Sequence, residues 1–287
     1  MPSLSISYEE ELPMILLVAS EKDPASLNIK KQLLSNYRFD ETTARFQLNT
    51  IHIGQVNGRD VKLITLNQES IYAQDLTTFF TDPELTVFIS RHSSISGTPT
   101  LSVHTPGNLG PADSGGKPRE VSVSPSNAMR ETLRVMSKMR DEMQLKYEVS
   151  YEGTHHGPSI NVPIMFAELG SSPLQWNDAA AAEAVAHAAM GAVSKFRIVS
   201  AETVLGIGGP HYNSKFTKMA LETGVAFGHI IPKHSISQLD LEILQQCVDR
   251  TLEKVEHAVL DWKGIRGNDK PRVLAMLNKV DLRIQKV

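Results

Sequence analysis

The chain has 287 residues, 41% of them hydrophobic and 21% charged, which excludes disordered, collagen-like and coiled-coil classes. Lysine and arginine total 29 against 32 acidic residues, a net charge of −3. A globally basic nucleic-acid coat is therefore excluded, while a local basic patch is not. The one cysteine, Cys247, rules out an internal disulfide and any CxxC metal site.

Residues 1–13 read as a flexible tail without the basic start and apolar run of a secretory signal. No run of about 18 apolar residues marks a membrane-spanning helix, and the cysteine usage fits a cytoplasmic protein. Residues 14–19 (MILLVA) suit a buried strand, and Asp23-Pro24 opens a helix to about 34. Runs 51–56 and 61–66 flank Asn57-Gly58, a hairpin signal. Another buried strand is predicted at 85–89. An irregular passage follows at 93–125, with one short strand at 101–104; so much loop implies a functional reason. Ser124-Pro125 opens a helix to about 144, and strands are predicted at 146–151 and 160–166. Asn177 is the expected cap of a small-residue helix whose His187 reads as a satisfied core histidine. Strands are expected at 197–206 and 225–231. Ser237 is the expected cap of one long helix to about 262, with Leu241, Leu244, Cys247, Val248, Leu252, Val255 and Val259 buried. Pro271 opens a last helix, and 282–287 reads as a final strand. Strands alternating with helices give an α/β fold, read as a single domain over 14–287.

Six histidines are expected in turns: His92, His104, His155, His156, His211 and His229. In SRHSSISGTPTLSVHTPGN (90–108), Arg91 offers a fork for phosphate or carboxylate, and His92 a proton carrier or metal ligand. Ser96 and Gly97 offer a hydroxyl and amides to an anion. In EGTHHGPS (152–159), His155 and His156 point to opposite sides if the chain is extended. One then faces a substrate; alternatively, both reach a metal where the chain bends at the glycines. In FAELGSS (166–172), Glu168 orients a histidine, binds a metal or acts as a base. In GIGGPHYNSKFT (206–217), Gly208 and Gly209 permit close approach to a ligand, His211 and Tyr212 add a proton carrier and a stacking face, and Lys215 adds charge. Walker A, G-x-G-x-x-G, HExxH and GxSxG patterns are absent. Histidine and carboxylate remain, and they suit hydrolysis by a base-activated water or a metal-bound hydroxide. His104, His155, His156 and His211 are metal candidates, without diagnostic spacing.

Taken together, SRHSSISG…LSVHTPGN, EGTHHGPS, FAELGSSPLQWND, GIGGPHYNSKFT and GHIIPKH resemble the archaeal and plant type of D-aminoacyl-tRNA deacylase, from about residue 14 onward. Departures are Pro210 in place of a third glycine, and Asn213-Ser214-Lys215 in place of Ala-Pro-Arg/Lys. The resemblance implies a three-layer α/β/α sandwich with a mixed sheet, similar to phosphorylases and peptidyl-tRNA hydrolases. It implies hydrolysis of the ester between a D-amino acid and the tRNA 3′ ribose, and zinc. On this reading His155 or His156 activates water, with His92 as a further catalytic group, and Glu168 orients the imidazole. Amides near Gly208–Gly209 or Ser96–Gly97 hold the oxyanion. Arg91, Lys117, Arg119, Lys215 and Lys233 meet phosphates, and Tyr212 or Phe216 stacks on the terminal adenine. The partner is the tRNA acceptor end, and the protein is expected to be a monomer. The rival readings are a nucleoside phosphorylase-like or other N-glycosidic enzyme, and a non-enzymatic RNA-binding protein.

Overall fold

Residues 14–287 are described by the computed structural model, so the tail expected at 1–13 lies outside the described residues. Apolar side chains on both faces make β1 (Met14–Ser20) a fully buried strand. The Asp23 carboxylate caps helix α1 (Pro24–Asn36), accepting from Ser26 N at 3.0 Å. β3 (Asn49–Val56) and β4 (Arg59–Leu66) form the expected hairpin. β2 (Asp40–Phe46) precedes them and was not foreseen, because it is mostly polar and exposed and shows no apolar alternation. Then come α2 (Leu76–Phe79), β5 (Leu85–Arg91), β6 (Thr100–His104), β7 (Gly107–Asn108) and β8 (Glu120–Val121). They are followed by α3 (Ser126–Glu142), β9 (Glu148–Tyr151), β10 (Ile164–Gly170), α4 (Pro173–Trp176) and α5 (Ala179–Lys195). The chain ends with β11 (Glu202–Ile207), α6 (Ser214–Glu222), β12 (Val225–Ile231), α7 (Leu241–Asp249), β13 (Val255–Leu260), α8 (Lys270–Lys279) and β14 (Arg283–Lys286).

The architecture is α/β with a large mixed sheet flanked by helices, as expected. Its eight strands run β2-β3-β4-β1-β5-β10-β6-β9. A second sheet, β12-β11-β13-β14, is wholly parallel and was not separated in the sequence. Ile15, Leu17 and Ala19 bury one face of the large sheet against α1, α3 and α5. The alanine-rich α5 lies against α3 and α1, as its small side chains allow. Its His187 is satisfied, 2.6 Å from the Tyr37 hydroxyl, although only half-buried. The opposite face carries Leu16, Val18, Phe88 and Phe166, covered by the short α2 and irregular chain. α3 packs against β6 and β9 of the large sheet and β12 of the small one.

Four boundaries differ from expectation. The long helix at 237–262 is helix α7 followed by strand β13. Asp240, not Ser237, is the cap, accepting from Ile243 N at 3.1 Å. Val255 and Val259 misled because a spacing of four fits both a helical face and one side of a strand. Asp178 rather than Asn177 caps α5. Residues 197–201 precede β11, with Arg197 left-handed at φ 58°. The strand expected at 160–166 begins after Pro163, which places Glu168 inside β10. Cys247 is buried as expected, and burial pushes its thiol pKa up.

His229 lies within β12, fully buried, rather than in a turn. Ile230 N donates to Thr154 Oγ1 at 3.2 Å, and that hydroxyl lies 3.1 Å from His229 Nδ1. Nε2 lies 3.2 Å from the Arg250 carbonyl, so Nε2 carries the proton and Nδ1 accepts. This chain ties the 152–159 segment to the small sheet. Burial lowers the His229 pKa from 6.5 to about 4. The unfolded chain therefore binds the extra proton first, and stability present above pH 6.5 is lost as pH falls toward 4. Such a shift corresponds to about 3 kcal/mol. Urea denaturation of the protein and His229→Gln across this range should show the two stabilities converging by about that amount toward pH 4. Parallel curves would contradict the assignment.

Candidate active site

The site is built on the sheet face that lacks long helices. Phe88 stacks on Phe166 (centroids 4.8 Å apart) and Phe166 on His104 (5.2 Å), because β5, β10 and β6 are neighbours. Glu168 stands two residues beyond Phe166 on the same face of β10, opposite Ser90 of β5. Ser90 Oγ donates to Glu168 Oε1 at 2.8 Å. His92 follows β5 directly, and its ring passes close over Gly170; a Cβ there would lie 2.6 Å from His92 Cβ.

His155 and His156 are brought to one side by His156 itself, which is left-handed at φ 43°. The bend therefore falls on a histidine and not on the flanking glycines. Gly157 instead admits the 114–116 loop, since a Cβ there would meet Gly116 N at 2.1 Å. Gly107 N donates to the carbonyls of His155 (3.1 Å) and His156 (2.7 Å). The irregular passage after β6 thus holds the histidine pair in place. The two rings are 4.3 Å apart, and His104 lies 4.3 Å from His155 and 4.8 Å from His156.

Glu152, which the sequence reading passed over, is the second centre. Its buried carboxylate lies 3.3 Å from His92 Nδ1, 3.0 Å from His211 Nε2 and 3.8 Å from His155 Nε2. An acid closing strand β9 just before a histidine pair was the available signal. Glu168 was expected to orient His155 or His156. It approaches His92 (3.5 Å) and His104 (3.8 Å) instead.

Electrostatics divide the imidazoles. Burial resists ionisation of Glu152, yet the His211 hydrogen bond and the His92 charge hold it down at about 2. Burial likewise opposes Glu168, and His104 and His92 pull it well below the carboxylate range. Desolvation opposes the His92 cation, but Glu168 and Glu152 raise it to about 9. Against its complete burial, His104 is also raised, by Glu168. Burial wins at His156, lowered to about 4 with help from the His104 charge. Burial and then His156 and His104 lower His155 well below its ordinary range. His155 Nδ1 lies 2.9 Å from Gly153 O, and His156 Nδ1 2.6 Å from Gly157 O. Both Nδ1 atoms therefore carry the proton, and Nε2 is a free base or ligand.

His92, His155, His156, Glu168 and His211 wall a cavity of about 350 Å³ that also includes Asp23, Glu69, Ser70, Arg91 and Tyr212, with Glu152 and His104 buried behind them. Burial pushes the Asp23 carboxyl up to about 6, although it accepts from Arg91 N at 2.7 Å. Tyr212 OH lies 2.5 Å from His92 Nε2. Three sets of ligand atoms fall within 4.8 Å of one another: His104–His155–His156, Glu152–His155–His211 and His92–Glu152–Glu168. Among the described residues, neither ring nitrogen of buried His104 has a partner at hydrogen-bond geometry, Nε2 lying 3.8 Å from Glu168; nor has Glu152 Oε1, whose nearest cation is His92.

Other expected groups fall elsewhere. Gly208 N donates to Ile231 O (2.8 Å) and Gly209 N to Gly264 O (3.3 Å), so neither amide is free for an oxyanion. Ser96 N and Gly97 N turn back on Ser94, in an exposed loop off the cavity wall. Phe216 is fully buried against Phe227 and offers no face to a base. Arg91 pairs with Glu69 at 3.0 Å, Lys117 with Glu120 at 3.5 Å, and Lys215 with Asp261. Arg119 reaches Asp240 at 2.6 Å, and the Lys233 side chain is exposed. Asn213, a departure from the resembling family, caps α6 and donates to Gly208 O at 3.0 Å, which stabilises the loop before His211.

A model of the D-aminoacyl-tRNA deacylase family matches residues 79–285. The D-aminoacyl-tRNA deacylase of Thermococcus onnurineus is 36% identical over 94% of this chain and 98% of its own. That of Pyrococcus furiosus is 36% identical over 95% and 100%. The crystal structure of AF0625, a conserved protein of unknown function, superposes with a TM-score of 0.84 at 30% identity, covering 96% of this chain and 95% of that one.

Removing one partner of a buried ion pair costs about 3–5 kcal/mol, because the other charge stays buried. Glu152→Gln should destabilise the protein by about this much in urea denaturation. The exposed control Glu142→Gln should cost under about 1 kcal/mol. Equal effects would show that Glu152 is not the electrostatic centre.

Proposed function

The chain belongs to the D-aminoacyl-tRNA deacylase family, and on that premise we propose how it hydrolyses the ester joining a D-amino acid to the 3′-terminal ribose of tRNA. Free D-amino acid and tRNA are the products. One observation carries the reading. Two half-buried imidazoles, His155 and His156, keep a bare Nε2 at the cavity wall while their Nδ1 protons are tied to backbone carbonyls. Neutral, oriented bases of this kind suit activation of water.

His156 takes the proton of the attacking water at Nε2 and returns it to the ribose oxygen as the ester C–O bond breaks, while His155 is oriented by its Nδ1–H bond to the Gly153 carbonyl. Glu168 and Glu152 hold His92 at Nδ1. The His92 Nε2–H then donates to the Tyr212 oxygen, which leaves the phenolic proton free for the cavity. With the Gly208, Gly209, Ser96 and Gly97 amides engaged, Tyr212 supplies the donor to the developing oxyanion. In this role it is a hydrogen-bond donor rather than a stacking face.

The donor set also fits zinc, in the alternative arrangement where His156 Nε2 is a ligand and not the proton acceptor. His104, His155 and His156 offer three nitrogens within 4.8 Å, and among the described residues neither His104 nitrogen has another partner at hydrogen-bond geometry. These three residues would hold the ion, and His211 would stay with Glu152. Bound there, zinc lowers the pKa of water and polarises a carbonyl. Glu168, next to His104, supplies negative charge that favours a cation at that ring.

The groups named are all supplied by this chain, which supports a site complete within one copy. A tRNA substrate places it in the cytoplasm, and among the described residues no helix is long and apolar enough to cross a membrane.

D-tyrosyl-tRNA should be deacylated far faster than L-tyrosyl-tRNA; equal rates would end the chiral reading. His156→Ala should lower kcat by about 10²–10⁴. Tyr212→Phe should lower kcat by roughly 10²–10³ with KM unchanged, whereas loss of base stacking would raise KM instead. Exhaustive chelation should abolish activity, and zinc should restore it. Full activity in protein shown metal-free by elemental analysis would refute zinc and leave the histidine base.

A further inference from the structure

Outside the cavity, positive charge concentrates at one edge of the small sheet. Of the seven lysines and arginines in residues 262–287, Lys263, Arg266, Lys270 and Lys286 belong to this edge, whereas Lys279 and Arg283 flank the amino end of β14 and Arg272 donates to the Leu239 and Ile236 carbonyls. Because β12, β11, β13 and β14 all run parallel, their carboxyl ends share one edge. β11 leads there into the 208–212 loop, β12 into Lys233, and β13 into Trp262, Lys263 and Arg266, while β14 ends at Lys286. Backbone bonds join these segments: Gly209 N to Gly264 O (3.3 Å), Lys233 N to Gly209 O (2.9 Å) and Trp262 N to Val287 O (3.1 Å). The edge is therefore continuous with the loop that carries His211 and Tyr212 into the cavity.

The cations on this edge are available. Lys233, Lys263, Arg266 and Lys286 are exposed, and among the described residues none of them forms an ion pair. The Trp262 ring holds Lys270 Nζ at 4.5 Å and Lys286 Nζ at 4.0 Å, which fixes two ammonium groups about one platform. Arg91, Lys117, Arg119 and Lys215, by contrast, are each paired with an acid.

We propose that this carboxyl edge, from Lys233 through Lys263, Arg266, Lys270 and Lys286, docks the phosphates of the tRNA acceptor stem while the aminoacylated end enters the cavity past Tyr212. The proposal rests on the deacylase reading for the identity of the polyanion. Phosphate contacts of this kind give affinity that falls with salt and carry no chemistry.

The test uses the full chain and two double variants, K263Q/R266Q and K270Q/K286Q. Cleavage of D-tyrosyl-tRNA and of the short substrate 3′-D-tyrosyl-adenosine is followed, together with binding of uncharged tRNA against salt. Each double variant should raise KM for the tRNA substrate roughly tenfold near 0.1 M salt, with kcat unchanged. The log–log salt slope of tRNA binding should become shallower by about 2. Cleavage of the short substrate should not change. Variants with wild-type KM and wild-type salt slope overturn the surface even if the enzyme is active. Failure of the deacylase reading is seen separately, as a wild-type protein that cleaves neither substrate. In that case an unchanged tRNA affinity in the variants overturns the surface as well.

Discussion

Two carboxylates buried side by side, Glu152 and Glu168, govern the site. An isolated carboxylate loses several kcal/mol of hydration on burial, so each must be matched by cations or donors. Glu152 meets His92, His155 and His211, and Glu168 meets His92, His104 and Ser90. The imidazoles compete for a limited negative charge. His92 and His104, nearest to Glu168, are drawn toward the cationic form, while His155 and His156 are kept neutral by burial and by each other. Acid and base character thus arise in adjacent rings of one residue type.

The backbone makes this cluster possible by leaving one sheet face without a helical layer. On the other face, α1 and α5 press directly on β1, β5 and β10, and α3 on β6 and β9. Around the site, turns replace helices, and polar side chains can project from strands into space that a helix would fill. The Phe88–Phe166–His104 stack anchors the rings to the apolar core, and Gly170 gives His92 room to lie across β10. Deleting a methylene here would move ligand atoms as well as weaken packing.

Strands with two apolar faces and a turn dipeptide were legible in the sequence: β1, β5 and the β3–β4 hairpin stand where expected. β2 was not, because its polar side chains face solvent and only pairing with β3 and the buried Phe46 at its end hold it. The α7–β13 boundary was hidden by a four-residue spacing common to both periodicities. In the site, histidines between glycines drew attention and do converge. Glu152 offered only a faint local signal, an acid between β9 and the histidine pair; its importance comes from burial among residues about 60 positions away in both directions, such as His92 and His211. Arg91 and Lys215 illustrate the converse: residue type suggested phosphate, but an acid distant in sequence already occupies each. Phe216 follows the same rule, since an aromatic ring in a glycine-rich segment is as useful to the core as to a ligand.

The charge layout also separates two tasks. In and behind the cavity wall, Glu152 and Glu168 are matched by His92 and His104, and Arg91 is paired with Glu69, so among the described residues no unpaired cation is left there for phosphate. An aminoacyl ester presents an ammonium at its reacting end and phosphates along the remaining chain. Recognition of the polyanion therefore belongs away from the carboxylates, on a surface whose cations are not neutralised by them. The parallel ends of the small sheet meet that condition, and the 208–212 loop links them to the cavity. Long-range attraction to that edge orients the substrate before contact, and the place where water must attack, its cations already paired with Glu152 and Glu168, does not compete for the phosphates.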